Sequence, residues 1–434
     1  MWLLFCTLPL VLTSVAFAYV PESTLKTDIL AIASLAKLAE SIANGSLANH
    51  LAERGVSQDC DILKVGIRRE YSTLSDKEKL AYTSAVKCLM SKPAQTPSDQ
   101  IPGAKSRYDD FVGTHINQTL SIHATGSFLS WHRYFSWAFE QALRNECGYT
   151  GYLPYWNWGK SAQDPINSPY FDGSEYSQGG NGVYAAHNCT DALSNGLNCI
   201  PPSQGGGCVE TRFYEQTLPD LMFVLQKHEL QLPIKSPSML EERIANHKCR
   251  SGPYVGYNMN ISATFPSLEA DGVVAGPWLG YQPRCLRRDV SPWLSSQWST
   301  DDESYDILTN PLYQTGIGAF QDHLQGDFAI GYYGLHSSGH YTIGGDPGGD
   351  FFNSPNDPMF WLHHSQIDRT WWIWQNQNPA DRAFDIAGTN TVFDTPPSAN
   401  TTIEDTINLG IVRKALAIKH HVSTVAGPYC YIYV

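Results

Sequence analysis

Asp357-Pro358-Met359-Phe360-Trp361-Leu362-His363-His364-Ser365-Gln366-Ile367-Asp368-Arg369 sets two adjacent histidines in an aromatic, apolar run. The pattern is helical from about Asp357 to Gln377, and Phe360, His364 and Asp368, spaced by four, share one face. Upstream, His336 and His340 have the same spacing, so both project from one side of a second helix. Much earlier, His115, His123 and His132 form another group: Phe111 precedes His115 by four residues, and Phe128 and Phe135 flank His132. One histidine in such surroundings is ordinarily a satisfied core residue; two triplets of this kind are poorly explained that way. Two pairs of histidine-bearing helices, far apart in sequence, predict a mainly α chain. Its core would be a four-helix bundle with metals in the middle, joined by long loops and a few short β-strands.

The remaining elements follow from local signals. Residues 24–54 are rich in Ala and Leu at helical spacing, with Asn44-Gly45 as a stop. Ser75-Asp76-Lys77-Glu78 reads as a capping box opening a helix through Leu89. Helices are expected over about Arg107–Leu120, carrying His115, and Phe128–Arg144, carrying His132; His123 falls in the connection, beside Gly126. Residues 160–210, dense in Gly, Asn, Ser and Pro, read as loop. A helix near 210–228 precedes irregular chain through Trp298, and another helix follows near 311–325. Residues 403–434 hold short apolar, β-prone runs, and neither a fixed-period repeat nor a low-complexity linker divides the chain.

Residues 1–18 read as a secretory signal peptide: Trp2 to Phe17 are largely apolar, and Ala16-Phe17-Ala18 has the small-x-small form of a cleavage site. The expected mature chain is a single domain over 19–434, secreted to the extracellular space. No later segment has the roughly 20 apolar residues a membrane span needs. A formal charge of -13 without any Lys/Arg cluster argues against nucleic acid and anionic membranes as partners. Sequons at Asn44, Asn117, Asn188, Asn260 and Asn400 fit a secreted chain bearing N-linked glycans. Beyond Cys6 in the leader, nine cysteines remain, and in an oxidising compartment disulfides are expected, with one left over. Cys60 and Cys88 flank one helical stretch as a candidate clamp; Cys189, Cys199 and Cys208 sit in a loop whose entropy a bridge would limit.

Neutral imidazole is the commonest metal ligand and suits copper, zinc, iron and nickel. Two triplets with little cysteine or carboxylate nearby suggest two metals, each held by three nitrogens with positions left open for a small bridging molecule. The His336/His340 spacing also occurs in zinc proteases, but Ser337-Ser338-Gly339 replaces their glutamate base, which disfavours hydrolysis. Adjacent helical histidines point about 100° apart, so one of His363 and His364 joins the second metal. His364 is the choice, because Asp368 lies one turn on, where a carboxylate can orient a ligating ring. The other seven histidines, His50, His187, His228, His247, His323, His420 and His421, lack such a setting.

These motifs resemble the type-3 copper proteins: tyrosinases, catechol oxidases and molluscan haemocyanins. The resemblance rests on Tyr108-Asp109-Asp110-Phe111-Val112-x-x-His115, on Phe128-Leu129-x-Trp131-His132-Arg133, and on Asp357 through His364 to Asp368-Arg369. Pro154-Tyr155-Trp156-Asn157-Trp158 and Tyr429-Cys430-Tyr431-Ile432-Tyr433 are similar to further family landmarks, and the Cys60–Cys88 region resembles short secreted fungal members. The resemblance implies two copper ions, copper A on His115, His123 and His132 and copper B on His336, His340 and His364, with dioxygen bridging the pair. It also implies that Phe360 lies beside the face of a phenolic substrate, where stacking contributes ~0.5–1.5 kcal/mol.

Three departures from the family pattern bear on activity. Ser121 stands where many members carry a cysteine in thioether linkage to the second copper A histidine, which would leave His123 more mobile. Ser337 replaces an asparagine that works with an upstream glutamate in deprotonating monophenols, and the nearest upstream acid is Asp327. Tyr341 follows His340, where resemblance places it at the cavity rim. The chain also ends at Tyr431 and Tyr433, without the C-terminal plug of longer relatives, so no latency device is expected. The expected activity is oxidation of o-diphenols to o-quinones with dioxygen, with monophenol hydroxylation weak. Alternatives are a true tyrosinase, an o-aminophenol or methoxyphenol oxidase, a tailoring oxidase of secondary metabolism, and, in another class, a haemocyanin-like oxygen carrier.

Overall fold

The computed structural model describes residues 24–191, 199–210, 252–262 and 276–434. The expected signal peptide, the helix near 210–228 and Cys249 lie outside them. The principal helices are α1 (Lys26–Ala43), α2 (Ser46–Ala52), α3 (Asp76–Ser91), α4 (Arg107–Ile122) and α5 (Phe128–Cys147). After the long loops come α6 (Pro292–Trp298), α7 (Asp301–Thr309), α8 (Ile317–Gln325), α9 (Gly334–Ile343) and α10 (Met359–Asn376).

Local chemistry sets these boundaries. Ser75 accepts from the Glu78 amide while Glu78 reaches back to the Ser75 amide, so both halves of the α3 capping box form. A second box, Ser106 with Asp109, opens α4. Gly148, left-handed at φ 69°, ends α5. Two sequence expectations are corrected. The helix near 311–325 is broken into a 3-10 turn, Pro311–Gln314, and α8, with Gly316 between them. The chain before Trp298 is less irregular than expected: Asn258–Ile261 pairs antiparallel with Tyr281–Cys285, and α6 starts at a Ser291 cap with Pro292 at its first position.

Helices α4, α5, α9 and α10 form the central bundle. All 18 residues of α10 are buried. Its Trp361 stacks on Phe139 of α5 at 3.7 Å and 2°, while its indole N–H donates to the Tyr108 hydroxyl of α4 at 2.9 Å. Burying a ring such as Phe139 contributes roughly 1.5–3 kcal/mol.

The far end of the bundle is closed by strands distant in sequence. Gly66–Arg68 (β1) pairs parallel with Tyr431–Tyr433 (β2). Cys60 bonds Cys430 just before this pair, and Cys88 at the end of α3 bonds Cys147 at the end of α5. The expected Cys60–Cys88 clamp is therefore wrong: α3 packs lengthwise on α5, which aligns Cys88 with Cys147. Cys189 bonds Cys199 within its loop, whereas Cys208 reaches across to Cys285.

Candidate metal centre

Helices α4 and α5 and the turn between them bring His115, His123 and His132 together, with one ring nitrogen of each within 4.8 Å of the others. A main-chain carbonyl fixes each ring through Nδ1: Phe352 for His115 (2.7 Å), Thr119 for His123 (2.9 Å) and Phe128 for His132 (2.8 Å). A carbonyl only accepts, so the proton sits on Nδ1 and the Nε2 lone pair is free. Nε2 of His115 and of His132 is buried without a hydrogen-bond partner among the described residues. Burial pushes His115 and His132 well below the ordinary histidine range and His123 down to about 4. The rings are neutral at pH 7, as metal binding requires.

Helices α9 and α10 supply the second group, His336, His340, His363 and His364. Nε2 of His340 lies 3.2 Å from that of His336 and 3.1 Å from that of His364. Two nitrogens bound to one ion in tetrahedral geometry stand roughly 3.3 Å apart. His363 is engaged differently: its Nδ1 accepts the Trp158 indole N–H at 3.1 Å, which places its own proton on Nε2. Gly339 of α9 packs directly on the His363 ring, where a Cβ would stand 2.1 Å from Cε1.

The two groups face each other, His132 stacking on His364 at 4.4 Å between ring centroids and His123 on His336 at 5.8 Å. The orphaned lone pairs, neutral rings and nitrogen spacings fit a pair of copper ions. Beside them opens a cavity of about 630 Å³ onto which His123, His336 and His340 face, walled by Phe328, Phe351 and Phe352.

Ser337 and Tyr341 line this cavity, and the Ser337 hydroxyl donates to the Gln325 carbonyl at 2.7 Å. Two expectations need correction. Phe360 is buried behind the histidines, its ring 4.1 Å from that of His364 and 5.4 Å from that of His115, and is not among the cavity walls; Phe351, packed at 4.7 Å on His123, is. Asp368 does not orient His364. Its oxygens accept from Arg133 (2.5 Å), Arg68 (3.3 Å), Tyr431 and Tyr433 (both 2.6 Å), because α10 turns this face toward α5 and β2. Asp327 is exposed and caps the Phe328–Ile330 turn.

Sequence reasoning missed Gln325. Its Oε1 accepts the Ala124 N–H at 2.7 Å and its carbonyl accepts from Ser337, so it touches the residues that follow His123 and His336. Ala124 is left-handed at φ 48°, a conformation unusual for alanine.

A family model described as the common central domain of tyrosinase matches residues 105–377. The chain is 34% identical over 373 residues to Tyrosinase P of Aspergillus terreus, covering 85% of this chain and 91% of that protein. It is 32% identical over 390 residues to N-acetyl-6-hydroxytryptophan oxidase of Emericella nidulans, covering 87% and 94%. A polyphenol oxidase from Thermothelomyces thermophila, solved as a point mutant, superposes with a TM-score of 0.75 at 35% identity, covering 93% of this chain and 98% of that one. The helical frame and its paired histidines define a type-3 copper protein. The chain belongs to the tyrosinase family and is a copper-dependent oxidoreductase.

Proposed function

We propose that this chain is a secreted polyphenol oxidase that oxidises o-diphenols to o-quinones with dioxygen and hydroxylates monophenols weakly. His115, His123 and His132 would hold one copper, and His336, His340 and His364 the other. The bound pair supplies the two electron changes that one copper could not. The observation that carries the reading is the facing of the two histidine groups at the foot of one aromatic-walled cavity. The carbonyls of Phe352, Thr119 and Phe128 aim three rings, and Phe351 beside His123 offers a phenol an apolar face that excludes water. The preference for diphenols rests on position 337, where a serine hydroxyl is committed to the Gln325 carbonyl, and on Asp327, which faces solvent.

A cavity of about 630 Å³ at the histidines favours an enzyme over a carrier that shields its metals. A tailoring oxidase is the second reading, favoured by similarity to a relative named for a hydroxylated tryptophan. Four disulfides among the described residues and exposed sequon asparagines at Asn44, Asn188 and Asn400 support secretion; Asn117 is exposed too, but Thr119 of its sequon is fully buried. Asn260 is a poor glycan acceptor, since its Nδ2 donates to buried Asp109 at 2.8 Å and Ser262 is fully buried. Copper should be found at about two per chain, with oxygen uptake faster on catechols than on matched monophenols. Metal-loaded protein without turnover on a broad panel of phenols, catechols and aminophenols would defeat the proposal.

A further inference from the structure

The cavity is lopsided in charge. Asp322, Asp350 and Asp394 line it, and among the described lining residues there is no lysine or arginine. Two of the three carboxylates are already engaged. Asp350 accepts the Phe352 and Asn353 amides at 2.9 and 3.1 Å, and Asp394 accepts the Ser398 amide at 2.8 Å. Asp322 is exposed on the cavity wall, and its carboxylate has neither a hydrogen bond nor an ion pair among the described residues, while the protein around it lifts its pKa above the usual range. A carboxylate without a partner gains most from a cationic one.

Its position suits a substrate group held away from the reacting ring. Asp322 precedes Gln325 by three residues on α8, a rise of ~4.5 Å. Gln325 in turn touches the residues following His123 and His336. Asp322 and Gln325 therefore line the same cavity about one helical turn apart, so the charge sits on the wall that also carries Gln325. The space of about 630 Å³ exceeds what a single phenol ring fills, so a side arm fits.

We infer that Asp322 is a specificity residue, and that the cavity selects phenolic substrates bearing a cationic amine over those bearing a carboxylate. The inference rests on the polyphenol oxidase reading and names its substrate class. The net charge of -13 attracts cations generally, so the test must separate this one carboxylate from the overall field.

The holoenzyme is assayed with dopamine, 4-ethylcatechol and 3,4-dihydroxyphenylacetate, which share a catechol ring and differ in charge. Calorimetric binding of 2-phenylethylamine and phenylacetate, neither of which is a phenol, provides a readout without turnover. A partly exposed ion pair is worth a few-fold in affinity, and repulsion of the acid adds to the discrimination. Dopamine should exceed the acid in kcat/KM by about tenfold, and 2-phenylethylamine should bind more tightly than phenylacetate. Asp322→Asn should cut both ratios by about threefold; Asp322→Lys should invert them. Asp99→Asn, an exposed acid in a distant loop, removes the same charge and should alter neither ratio. Ratios untouched by Asp322→Asn, or lowered equally by Asp99→Asn, overturn the inference. Failure to oxidise even 4-ethylcatechol would instead defeat the oxidase reading, with the calorimetric ratio still deciding the role of Asp322.

Discussion

His363 and His364 are neighbours in sequence with opposite chemical positions. His364 turns Nε2 toward His340, whereas His363 Nδ1 accepts a hydrogen bond from the Trp158 indole. His364→Ala is expected to lose one copper per chain and all turnover; His363→Ala should keep both coppers and lose stability through the cavity it leaves, by about 2–4 kcal/mol. Metal analysis and thermal melting of the two variants check this, and the reverse result would reassign the ligand. Gln325→Leu removes the acceptor of the Ala124 N–H and should cost about 1–3 kcal/mol. Because Ala124 follows His123, copper should also be held less tightly at the first group, measurable by competition with a chelator. The spacing of the six histidines was legible in the sequence. Gln325 was not, because its value lies in two contacts, one of them 201 residues away.

At the scale of elements, legibility followed the range of the signal. Capping boxes and periodic apolar faces are written within one or two turns, so α3, α4, α5, α9 and α10 could be read directly. The α6 and α7 starts were equally local, with caps at Ser291 and Thr300, but the surrounding loop composition hid them. The fit of α9 against α10 depends on Gly339, whose missing side chain leaves room for the His363 ring. Gly339→Ala should separate the helices and lower stability by about 1–3 kcal/mol, despite the better helix propensity of alanine. A melting curve no lower than that of the parent would show that the ring yields instead. The His340 side chain projects from the next position, so catechol turnover should fall as well.

Across the whole molecule, Asp368 joins what the sequence keeps apart. Arg68 of β1, Arg133 of α5 and the two β2 tyrosines converge on it, and Arg68 also pairs with Glu140 at 3.0 Å. Burial opposes ionisation of Asp368, but Arg133, Arg68 and the two hydroxyls outweigh it and hold the carboxyl below its usual range. The unfolded chain therefore binds this proton more readily than the folded one. The stabilisation is present above the ordinary aspartate pKa near 4 and is lost as pH falls below it. Asp368→Asn should cost about 3–5 kcal/mol near neutrality, by leaving buried Arg133 without its carboxylate and Arg68 with Glu140 alone, and should flatten the acid limb of a stability profile. Denaturant titrations across the acid range test the slope. The motif Tyr431-x-Tyr433 could be recognised in the sequence, but its role could not, since its partner is named only by the fold. The Cys60–Cys430 bond lies beside the same junction and encloses a separation of 370 residues. A pulling force applied between Thr24 and Val434 would run through this bond and leave the enclosed chain without tension. Only the segments outside it would extend, until a reductant opened this bond and the three bridges it encloses and released a contour length of ~1,300 Å.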